Sequence, residues 1–394
     1  MAHGSPKIHD SLPRIFKNLW FICVENLFLG KLNSMKVIHS EIAHAETLSK
    51  EFYLEDHFWD WGKENIFAAH WMWLGMSRDF SSDGYNAFPL PYCGEYVSEP
   101  LLVMKDGLRI LSNVCTHRAF PLVHEPSRLR KIVCRYHGRR FGLDGRMEFM
   151  PEFEGVADFP RPCDHLAEVP KVVWRDFLWA SLSPQIQIEE ILQRMEPRIG
   201  FLPFEEFVHD PDFDRVFEVK AHWALYVENY LEGFHVPFVH QRLGGLLDFG
   251  SYTTEVDEWF NVQIGYATEG TPYFDLPKDH VDYPNKVAAY YYWIFPNTML
   301  NIYPWGLQMN QVIPVSKEHT QVIFKHYIWN RGIWDEMNAD EIGDITQVED
   351  EWVVEGVQRG LKSRYYQTGR LSAKRETGVH HFHRIISNLW SQTQ

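Results

Sequence analysis

Two short motifs place one cysteine and one histidine close together. Cys115 and His117 form a C-x-H pair, Cys134 and His137 form a C-x-x-H pair, and sixteen residues separate His117 from Cys134. Two thiolates and two imidazoles at this spacing can hold a metal centre at the tips of neighbouring loops. A Rieske [2Fe–2S] cluster uses this ligand set, with the cysteines on one iron and the histidines on the other. The neutral histidines raise its reduction potential above that of an all-thiolate ferredoxin.

A structural zinc site is the alternative, because Cys₂His₂ is also a zinc ligand set. Zinc fingers usually place Cys-x-x-Cys first and His-x₃₋₅-His second, whereas here each half of the motif has one residue of each type. Turn-forming residues also surround the two pairs, with Pro121 after the first and Gly138 after the second. The ligand order favours the iron–sulfur cluster over zinc.

Composition limits the class of protein. The 394 residues are 45% apolar and 23% charged, which is typical of a globular chain long enough for two domains. The net charge of −15 argues against nucleic acid as a partner. No run of eighteen apolar residues occurs, so we expect no membrane-spanning helix. The five cysteines are few and scattered, which favours a reducing cytoplasm over a disulfide framework.

The pattern of apolar residues and turns predicts three parts. Residues 1–65 are an N-terminal extension with a helix over 41–67, and it stays open whether residues 1–34 belong to the native protein. Residues 66–183 contain short strands broken by Gly, Asp and Pro, which predict a small all-β domain with the ligand loops at one end. Residues 184–394 contain six longer strand-like runs, which predict one antiparallel sheet flanked by helices.

The predicted elements can be stated by residue number. In the first domain the strands are 85–88, 101–104, 108–111 and 131–134. In the second the strands are 215–220, 261–266, 288–294, 299–303, 309–313 and 320–329. The helices there are 188–195, 223–234, 336–366 and 382–389.

A second metal site is indicated by His235 and His240. Five residues apart on an ideal helix, their side chains would point about 140° apart. Pro237 breaks a regular helix, so we expect the helix to end between the two histidines and let both rings converge. Two imidazoles and one carboxylate form the facial triad of non-haem Fe(II) oxygenases. Two unrelated histidines are the alternative, but a Rieske cluster needs an electron acceptor.

Together these features resemble the Rieske non-haem iron oxygenases, specifically their α (terminal oxygenase) subunit. The resemblance covers roughly residues 50–390 and includes the domain order, both ligand motifs and an N-x-x-E-x-x-H-x₄-H pattern that begins at Asn229. It implies an α+β fold, in which a small all-β Rieske domain precedes a catalytic domain of helix-grip (Bet v1-like) type. It also implies catalytic roles for Asn229 and Glu232.

The resemblance further implies the third iron ligand, which we expect to be Asp350 in the acidic run 347–351. On chemistry alone Glu349 or Glu351 is equally able to bind iron, and a solvated helix face is another explanation of the run. Helical spacing places Asp350 on a face with three apolar residues, Val353, Val354 and Val357, which predicts that this face is buried.

Two positions depart from the common family pattern. Ala119 stands where a glycine often occurs, and Arg139 stands where a tryptophan often follows His-Gly. The ligands are unchanged. We expect Arg139 to turn a flat apolar contact with the neighbouring iron domain into a charged one.

The implied function is that of a terminal oxygenase, which uses O₂ and electrons from a reductase or ferredoxin, ultimately from NAD(P)H. Aromatic residues between 288 and 305 resemble the branch that acts on quaternary ammonium compounds such as choline, carnitine and betaines. Four of them are candidates for a cation cage, or else for the core of the sheet: Tyr291, Trp293, Tyr303 and Trp305. The alternatives are an aromatic-ring hydroxylating dioxygenase and, in another class, an electron carrier without catalysis.

The remaining expectations concern assembly and partners. The resemblance implies a head-to-tail homotrimer, in which one subunit's cluster meets the next subunit's iron. Glu232 would then link His235 to His117 or His137 across the boundary. Between Arg118 and Arg146 there are eight Lys or Arg residues and two acids, a basic patch suited to an acidic redox partner. Balancing the cluster's charge or pairing with an adjacent subunit would also explain this patch.

Overall fold

The strands divide between three small sheets and one large sheet. The computed structural model describes residues 35–82, 84–240 and 248–393. The question of whether residues 1–34 belong to the native protein therefore lies outside the described residues.

The first nine strands form three antiparallel sheets, each of three strands. They are β1 (Met72–Met76), β2 (Ala87–Tyr92), β3 (Glu99–Met104), β4 (Arg109–Ser112), β5 (Ile132–Val133), β6 (Arg140–Phe141), β7 (Met147–Phe149), β8 (Lys171–Trp174) and β9 (Phe177–Ala180). Their orders are β1-β9-β8, β2-β3-β4 and β5-β6-β7. All four strands predicted for the first domain are confirmed, with shifts of a few residues at their ends. The Cys-His pairs lie just after β4 and just after β5, so two short loops carry them.

The next eight strands form one antiparallel sheet, as predicted. They are β10 (Val208–His209), β11 (Arg215–Val219), β12 (Thr253–Val256), β13 (Phe260–Tyr266), β14 (Val287–Ile294), β15 (Thr298–Tyr303), β16 (Gly306–Ser316) and β17 (His319–Ile328). The order is β10-β17-β16-β15-β14-β13-β12, and β11 also pairs with β17.

Both faces of this sheet are covered, which explains the nearly continuous apolar character of its central strands. Trp293 and Met299 belong to the core that packs against the C-terminal helices, whereas Tyr292 and Leu300 belong to a separate core. Because side chains alternate across a strand, adjacent residues enter different cores. The domain boundary at 183/184 stays a prediction.

Nine α-helices complete the described chain. They are α1 (Lys50–Leu54), α2 (Asp56–Gly62), α3 (Gly94–Val97), α4 (Ile188–Ile199), α5 (Trp223–Tyr230), α6 (Val236–Val239), α7 (Arg331–Met337), α8 (Ala339–Leu361) and α9 (Thr377–Gln392). A π-helical segment, Lys63–Ala68, continues α2. None of the helices described is both long and apolar enough to cross a lipid bilayer.

Three helix predictions need correction. The helix predicted over 41–67 is divided, because the backbone is extended at Ser49 before α1 and at Glu55 between α1 and α2. The helix predicted over 336–366 is divided into α7 and α8 by Asn338, whose φ of 50° is left-handed. Asparagine adopts this conformation more readily than most residues, so it ends one helix and begins the next. The helix predicted over 223–234 ends at Tyr230. The α+β class and the sheet flanked by helices are as predicted.

Two candidate metal centres and a cavity

The two loops that carry the Cys-His pairs share one backbone pattern. In the first, the Cys115 N–H donates to the Phe120 carbonyl at 3.0 Å and the Ala119 N–H donates to the Cys115 carbonyl at 2.9 Å. The second loop repeats both bonds around Cys134, at 2.8 and 2.9 Å, with partners five and four residues further along. Each loop is thus closed by its own backbone hydrogen bonds, which hold the cysteine in place.

This closure requires a left-handed residue four positions after each cysteine. Gly138 has a φ of 73° and Ala119 a φ of 52°. An L-residue with a Cβ atom pays about 1–2 kcal/mol for this conformation, which glycine avoids. The departure at Ala119 therefore changes the strain of the first loop and leaves its path intact.

The four residues predicted to bind the cluster converge between these loops. Cys115 and Cys134 are 2% and 1% exposed, and the rings of His117 and His137 are 4.8 Å apart. The Nδ1 atoms of both histidines are buried and have no hydrogen-bond partner among the described residues. Buried polar atoms are almost always paired, so two unpaired imidazole nitrogens fit ligands to a metal cluster. Burial also raises the pKa of the Cys115 thiol because it disfavours the charged thiolate, and a bound metal would stabilise that thiolate.

The expectation for Arg139 is wrong. Its side chain is buried within the same chain, at 1% exposure, and pairs with Asp164 at 2.7 Å. Among the described residues the side chain therefore forms its charged contact with Asp164 and not with the iron domain, and Arg139 is not part of the exposed basic patch.

The second centre combines the ends of α6 with α8. His235 precedes α6 and His240 follows it, and their Nε2 atoms are 3.1 Å apart. Asp350, on α8, places Oδ1 at 3.0 Å from Nε2 of His240 and 3.5 Å from Nε2 of His235. The same oxygen accepts a hydrogen bond from the Asn229 side-chain amide at 3.0 Å. The structure thus brings together the three residues expected to bind iron, all of whose donor atoms lie within 4.8 Å of one another.

The reason for this convergence differs from the prediction in one respect. The helix before the histidines ends at Tyr230, ahead of both of them. Pro237 lies in the first turn of the new helix α6, where its missing N–H costs nothing, so it starts a helix here rather than breaking one.

Two further carboxylates fix the histidine rings. Glu232 Oε1 accepts from His235 Nδ1 at 2.7 Å, and its other oxygen accepts from the backbone N–H groups of Phe234 and His235. Glu349 Oε2 accepts from His240 Nδ1 at 2.8 Å. With both Nδ1 atoms used in this way, both Nε2 atoms are left facing the centre, which is the usual arrangement around a ligating histidine.

Hydrogen bonds also shift the pKa values of the groups at the centre. Burial lowers the pKa of His235, but its hydrogen bonds with Asp350 and Glu232 outweigh burial and raise the pKa to about 9. Burial raises the pKa of Asp350, but hydrogen bonds from the two histidines outweigh it and lower the pKa. A divalent cation would take the place of these protons, because ligating imidazoles must be neutral.

The neighbours of Asp350 point elsewhere. Glu349 reaches the far side of the His240 ring, and Glu351 accepts a hydrogen bond from Gln347 at 3.2 Å. The predicted buried face of α8 is only partly right, since Val357 is 45% exposed. The residues that α8 buries are Gln347, Val354, Gln358 and Leu361.

A cavity of about 570 Å³ extends from this centre across the large sheet. Its wall includes Tyr303 stacked on Trp305, with centroids 5.0 Å apart, and Tyr291 edge-on to Tyr303 at 5.8 Å. All three were candidates for the cation cage. The fourth candidate, Trp293, is wrong, because its ring is fully buried beneath α9 against Phe382 and belongs to the core of the sheet. Further aromatic lining that was not foreseen comes from Tyr226, Tyr230, Tyr252, Phe249 and Phe324.

A row of polar residues on adjacent strands was also not foreseen. Gln263, Tyr291, Asn301 and Gln308 are successive cross-strand partners on β13 to β16, and all of them line the cavity. Asn301 Oδ1 accepts from the Tyr230 hydroxyl at 2.8 Å, whereas Oε1 of Gln263 is buried without a partner in the described structure. The sequence signal that could have predicted this row is the occurrence of polar residues at alternate positions of otherwise apolar strands.

Comparison with known families divides the chain in the same way. Residues 70–160 match the Rieske [2Fe-2S] domain, and residues 204–391 match the ring hydroxylating alpha subunit (catalytic domain). The choline monooxygenase of Beta vulgaris, a chloroplastic protein, is 27% identical over 86% of this chain and 76% of its own length. The carnitine monooxygenase oxygenase subunit of Escherichia coli is 26% identical over 88% of this chain and 94% of its own length.

Solved structures share the fold over most of the chain. A quaternary ammonium Rieske monooxygenase, described in connection with carnitine oxidation and inter-subunit electron transfer, aligns with a TM-score of 0.74 and 22% identity over 90% of this chain and 100% of its own. A naphthalene 1,2-dioxygenase variant aligns with a TM-score of 0.68 and 16% identity over 90% of this chain and 94% of its own.

Proposed function

Because this chain belongs to the Rieske non-haem iron oxygenases, as a terminal oxygenase α subunit, we propose that it hydroxylates or oxidatively N-demethylates a small quaternary ammonium compound. Enzymes of this family use O₂, a small organic substrate and electrons from a reductase or ferredoxin. When bound, the Rieske cluster supplies electrons one at a time and the mononuclear Fe(II) supplies the site for O₂.

The observation that carries the proposal is the aromatic cavity beside the histidine–carboxylate centre. Tyr303 and Trp305 are stacked with an interplanar angle of 16°, and the ring of Tyr291 is nearly perpendicular to that of Tyr303, at 83°. A quaternary ammonium group has no N–H to donate, so aromatic faces are its preferred surroundings. The carboxylate of Glu232 also lines the cavity, and its negative charge favours a cation there.

The polar row favours this substrate class over a hydrocarbon ring. Each of the amides of Gln263, Asn301 and Gln308 has one partner within the chain, but Oε1 of Gln263 is buried without one. An all-carbon aromatic substrate would leave this oxygen unpaired, which costs free energy, whereas a small cation with a hydroxyl group would donate a hydrogen bond to it. Aromatic-ring dioxygenation, the second candidate, is therefore less well supported.

We assign the metal ligands as part of the same proposal. Cys115, His117, Cys134 and His137 would hold the Rieske cluster. His235, His240 and Asp350 would hold the mononuclear iron, and their mutual distances support this assignment. Asn229 would orient the Asp350 carboxylate, and Glu232 the His235 ring.

We also propose a head-to-tail homotrimer in which Glu232 links the two kinds of centre across a subunit boundary. Exposed aromatic residues beside both centres support contact between subunits. Tyr136, next to the cluster ligand His137, is 52% exposed, and Phe238 and Trp352, near the iron site, are 76% and 73% exposed. The cytoplasmic location expected from the scattered cysteines belongs to this proposal too.

A mixing experiment tests the electron path. Subunits with Cys115→Ser lack a cluster and subunits with Asp350→Ala lack the mononuclear iron, so neither should turn over alone. Co-expressed with different tags and purified as mixed oligomers, they should regain part of the activity, because an intact cluster then faces an intact iron site. Purified mixed oligomers that stay inactive while both metals are present would exclude transfer between subunits.

The remaining partner is the electron donor. Seven of the eight basic residues of the patch are exposed, namely Arg118, Arg128, Arg130, Lys131, Arg135, Arg140 and Arg146. They surround the loops that carry the Cys-His pairs, so an acidic ferredoxin or reductase would be steered towards the cluster.

A substrate panel with product analysis tests the reaction. Purified protein, loaded with iron and supplied with a compatible reductase, should consume choline, carnitine, γ-butyrobetaine or glycine betaine and yield a hydroxylated or demethylated product. Naphthalene, indole and benzoate should be left unchanged, and ring diols from any of them would favour the dioxygenase. Iron analysis separates the electron carrier, which would contain about two irons per chain rather than about three.

A variant pair links the result to the cavity. Tyr303→Leu removes one ring of the cage and should raise the KM for the cation by about fivefold, in line with roughly 1 kcal/mol for a cation–π contact. Tyr365→Leu changes a ring that is 91% exposed and should leave the KM unaltered. Equal KM values for the two variants would contradict the cage.

A further inference from the structure

The arginine that departs from the family pattern lies in a buried ion pair beside the cluster loops. Arg139 is packed between the rings of Phe141 and Phe159, whose centroids are 5.7 and 5.5 Å from its guanidinium carbon. Its Nη2 donates to the carboxylate of Asp164 at 2.7 Å and to the carbonyl of the same residue at 3.3 Å. The Nε–H is buried and has no partner within the described residues.

This pair joins both cluster loops at one point. The backbone carbonyl of Arg139 accepts from the N–H of Cys134, so the arginine closes the second loop. The carbonyl of Asp164 accepts from the hydroxyl of Thr116, which lies between Cys115 and its neighbouring histidine in the first loop. Asp164 is itself held by the backbone N–H of Arg161, at 2.8 Å from its second carboxylate oxygen. One residue, Asp164, therefore bonds to both loops.

The charges of the pair lie in a position to act on the cluster. Burial raises the pKa of Asp164, but hydrogen bonds from the Arg161 N–H and the Arg139 guanidinium outweigh it, so the pKa is lowered and the carboxyl is ionised. An iron–sulfur cluster gains one negative charge on reduction, and its potential responds to nearby charges and hydrogen bonds. Buried charges act more strongly than exposed ones because water screens them less.

We propose that Arg139 and Asp164 are positioning residues of the cluster site, which hold the two ligand loops in register and set the reduction potential of the bound cluster. This inference rests on the assignment of a Rieske cluster to Cys115, His117, Cys134 and His137. It is independent of the substrate. A tryptophan at position 139 would fill the same space and supply neither the charge nor the bond to Asp164.

The two partners carry opposite charges, which gives the proposal a distinctive signature. Arg139→Gln leaves the carboxylate uncompensated and should shift the midpoint potential to more negative values. Asp164→Asn leaves the guanidinium uncompensated and should shift it to more positive values. Asp164→Asn keeps the size of the side chain and Arg139→Gln shortens it, but damage to packing alone has no reason to produce shifts of opposite sign.

The experiment is a spectroelectrochemical titration of the purified, cluster-loaded full chain without substrate or reductase. Absorption and electron paramagnetic resonance spectra first establish that the Rieske cluster is present. Arg140→Gln is the matched control, because it removes the same charge from the adjacent, exposed residue, which lies over the Phe149 ring. Its potential should equal that of the wild type.

A second measurement covers the loop contacts. Thr116→Val removes the hydroxyl that bonds to Asp164 while keeping both charges, so the cluster should be lost several-fold faster in the presence of a chelator, at an unchanged potential. If Arg139→Gln does not retain a cluster, Arg139→Trp replaces it and should show the same negative shift. Potentials that are unchanged, or that move in the same direction for both charge variants, would overturn the proposal. A Thr116→Val protein that keeps its cluster as long as the wild type does would also overturn the proposal.

These readouts separate the failure of this inference from that of the proposed function. A protein with normal Rieske spectra and unshifted variant potentials would refute the charge pair alone. A protein that never shows Rieske spectra would refute the assignment of the cluster on which both depend.

Discussion

The two candidate metal centres are built in opposite ways. The cluster ligands lie on loops that close through backbone hydrogen bonds, with the same pattern around Cys115 and Cys134. The iron ligands come from two helical segments 110 residues apart, and carboxylate side chains hold the histidine rings. A loop closed by its own backbone forms from local sequence, whereas the second centre exists only when α8 packs beside α6.

Their exposure and charge differ as well. His117 and His137 are partly exposed beside a surface rich in arginine, whereas His240 is 1% exposed and its neighbours are acidic. Electrons have to enter and leave the cluster through the protein surface, and charge there steers a partner. A site for O₂ chemistry benefits from enclosure, because fixed dipoles and charges act more strongly where water is excluded. Because the two centres are built from different elements, loss of the metal at one should leave the metal at the other in place.

The largest effect is expected from removing a ligand of either centre. His137→Ala should abolish the Rieske absorption, and Asp350→Ala should retain it while iron falls from about three to about two per chain. Turnover should be lost in both variants. Glu351→Ala is the control, since that carboxylate bonds to Gln347 and not to the histidines. An Asp350→Ala protein with full iron and turnover would exclude it as a ligand.

The next largest effect is expected at Glu232, the residue proposed to connect the centres. Glu232→Gln keeps the shape of the side chain but loses its charge, so both metals should stay bound while turnover slows by about 10–100-fold. Rapid-mixing measurements of cluster oxidation should locate the slow step between cluster and iron. Wild-type turnover with both metals present would show that Glu232 is not a bridge.

A smaller effect is expected at Glu349, which orients His240 alone. Glu349→Gln should weaken iron binding by roughly tenfold, the lower end of the range for partners of ligating histidines, because this side chain is 36% exposed. Competition with a chelator measures the affinity, and the Rieske spectrum should not change. Unchanged iron affinity would mean that the tie to His240 has no part in metal binding.

The smallest effect is expected from salt. If the basic patch steers an acidic donor, raising the ionic strength should slow cluster reduction several-fold, since exposed charges are screened. Arg128→Glu should reduce the low-salt rate, whereas Arg364→Glu, an exposed charge on the catalytic part of the chain, should not. A rate of reduction independent of salt would count against electrostatic docking.

The fold and the cluster were largely predictable because their signals are local. Strand residues alternate or form apolar runs, and every predicted strand of the large sheet is confirmed within a few residues. The Cys-His pairs specify their chemistry by residue type and short spacing alone. His235 and His240 were found for the same reason, although Pro237 was expected to break a helix that had already ended at Tyr230.

What sequence reasoning missed depends on contacts between distant residues. The periodicity of α8 indicated a buried face but not the partner of each side chain, so Glu349, Asp350 and Glu351 were equivalent on chemistry until the structure placed them. The buried ion pair of Arg139 with Asp164 joins residues 25 positions apart through a fold that neither motif specifies.

The amino-acid sequence by itself therefore determines which residues can serve as metal ligands and which segments form strands, because residue type, spacing and alternation are properties of neighbouring positions. Only the tertiary structure decides that Asp350 meets the two histidines, that Trp293 lies in the core while Tyr303 lines the cavity, and that Gln263, Asn301 and Gln308 share one row. The physical reason is that alternation assigns a side chain to a face, whereas its neighbour on that face is set by strand register and helix packing.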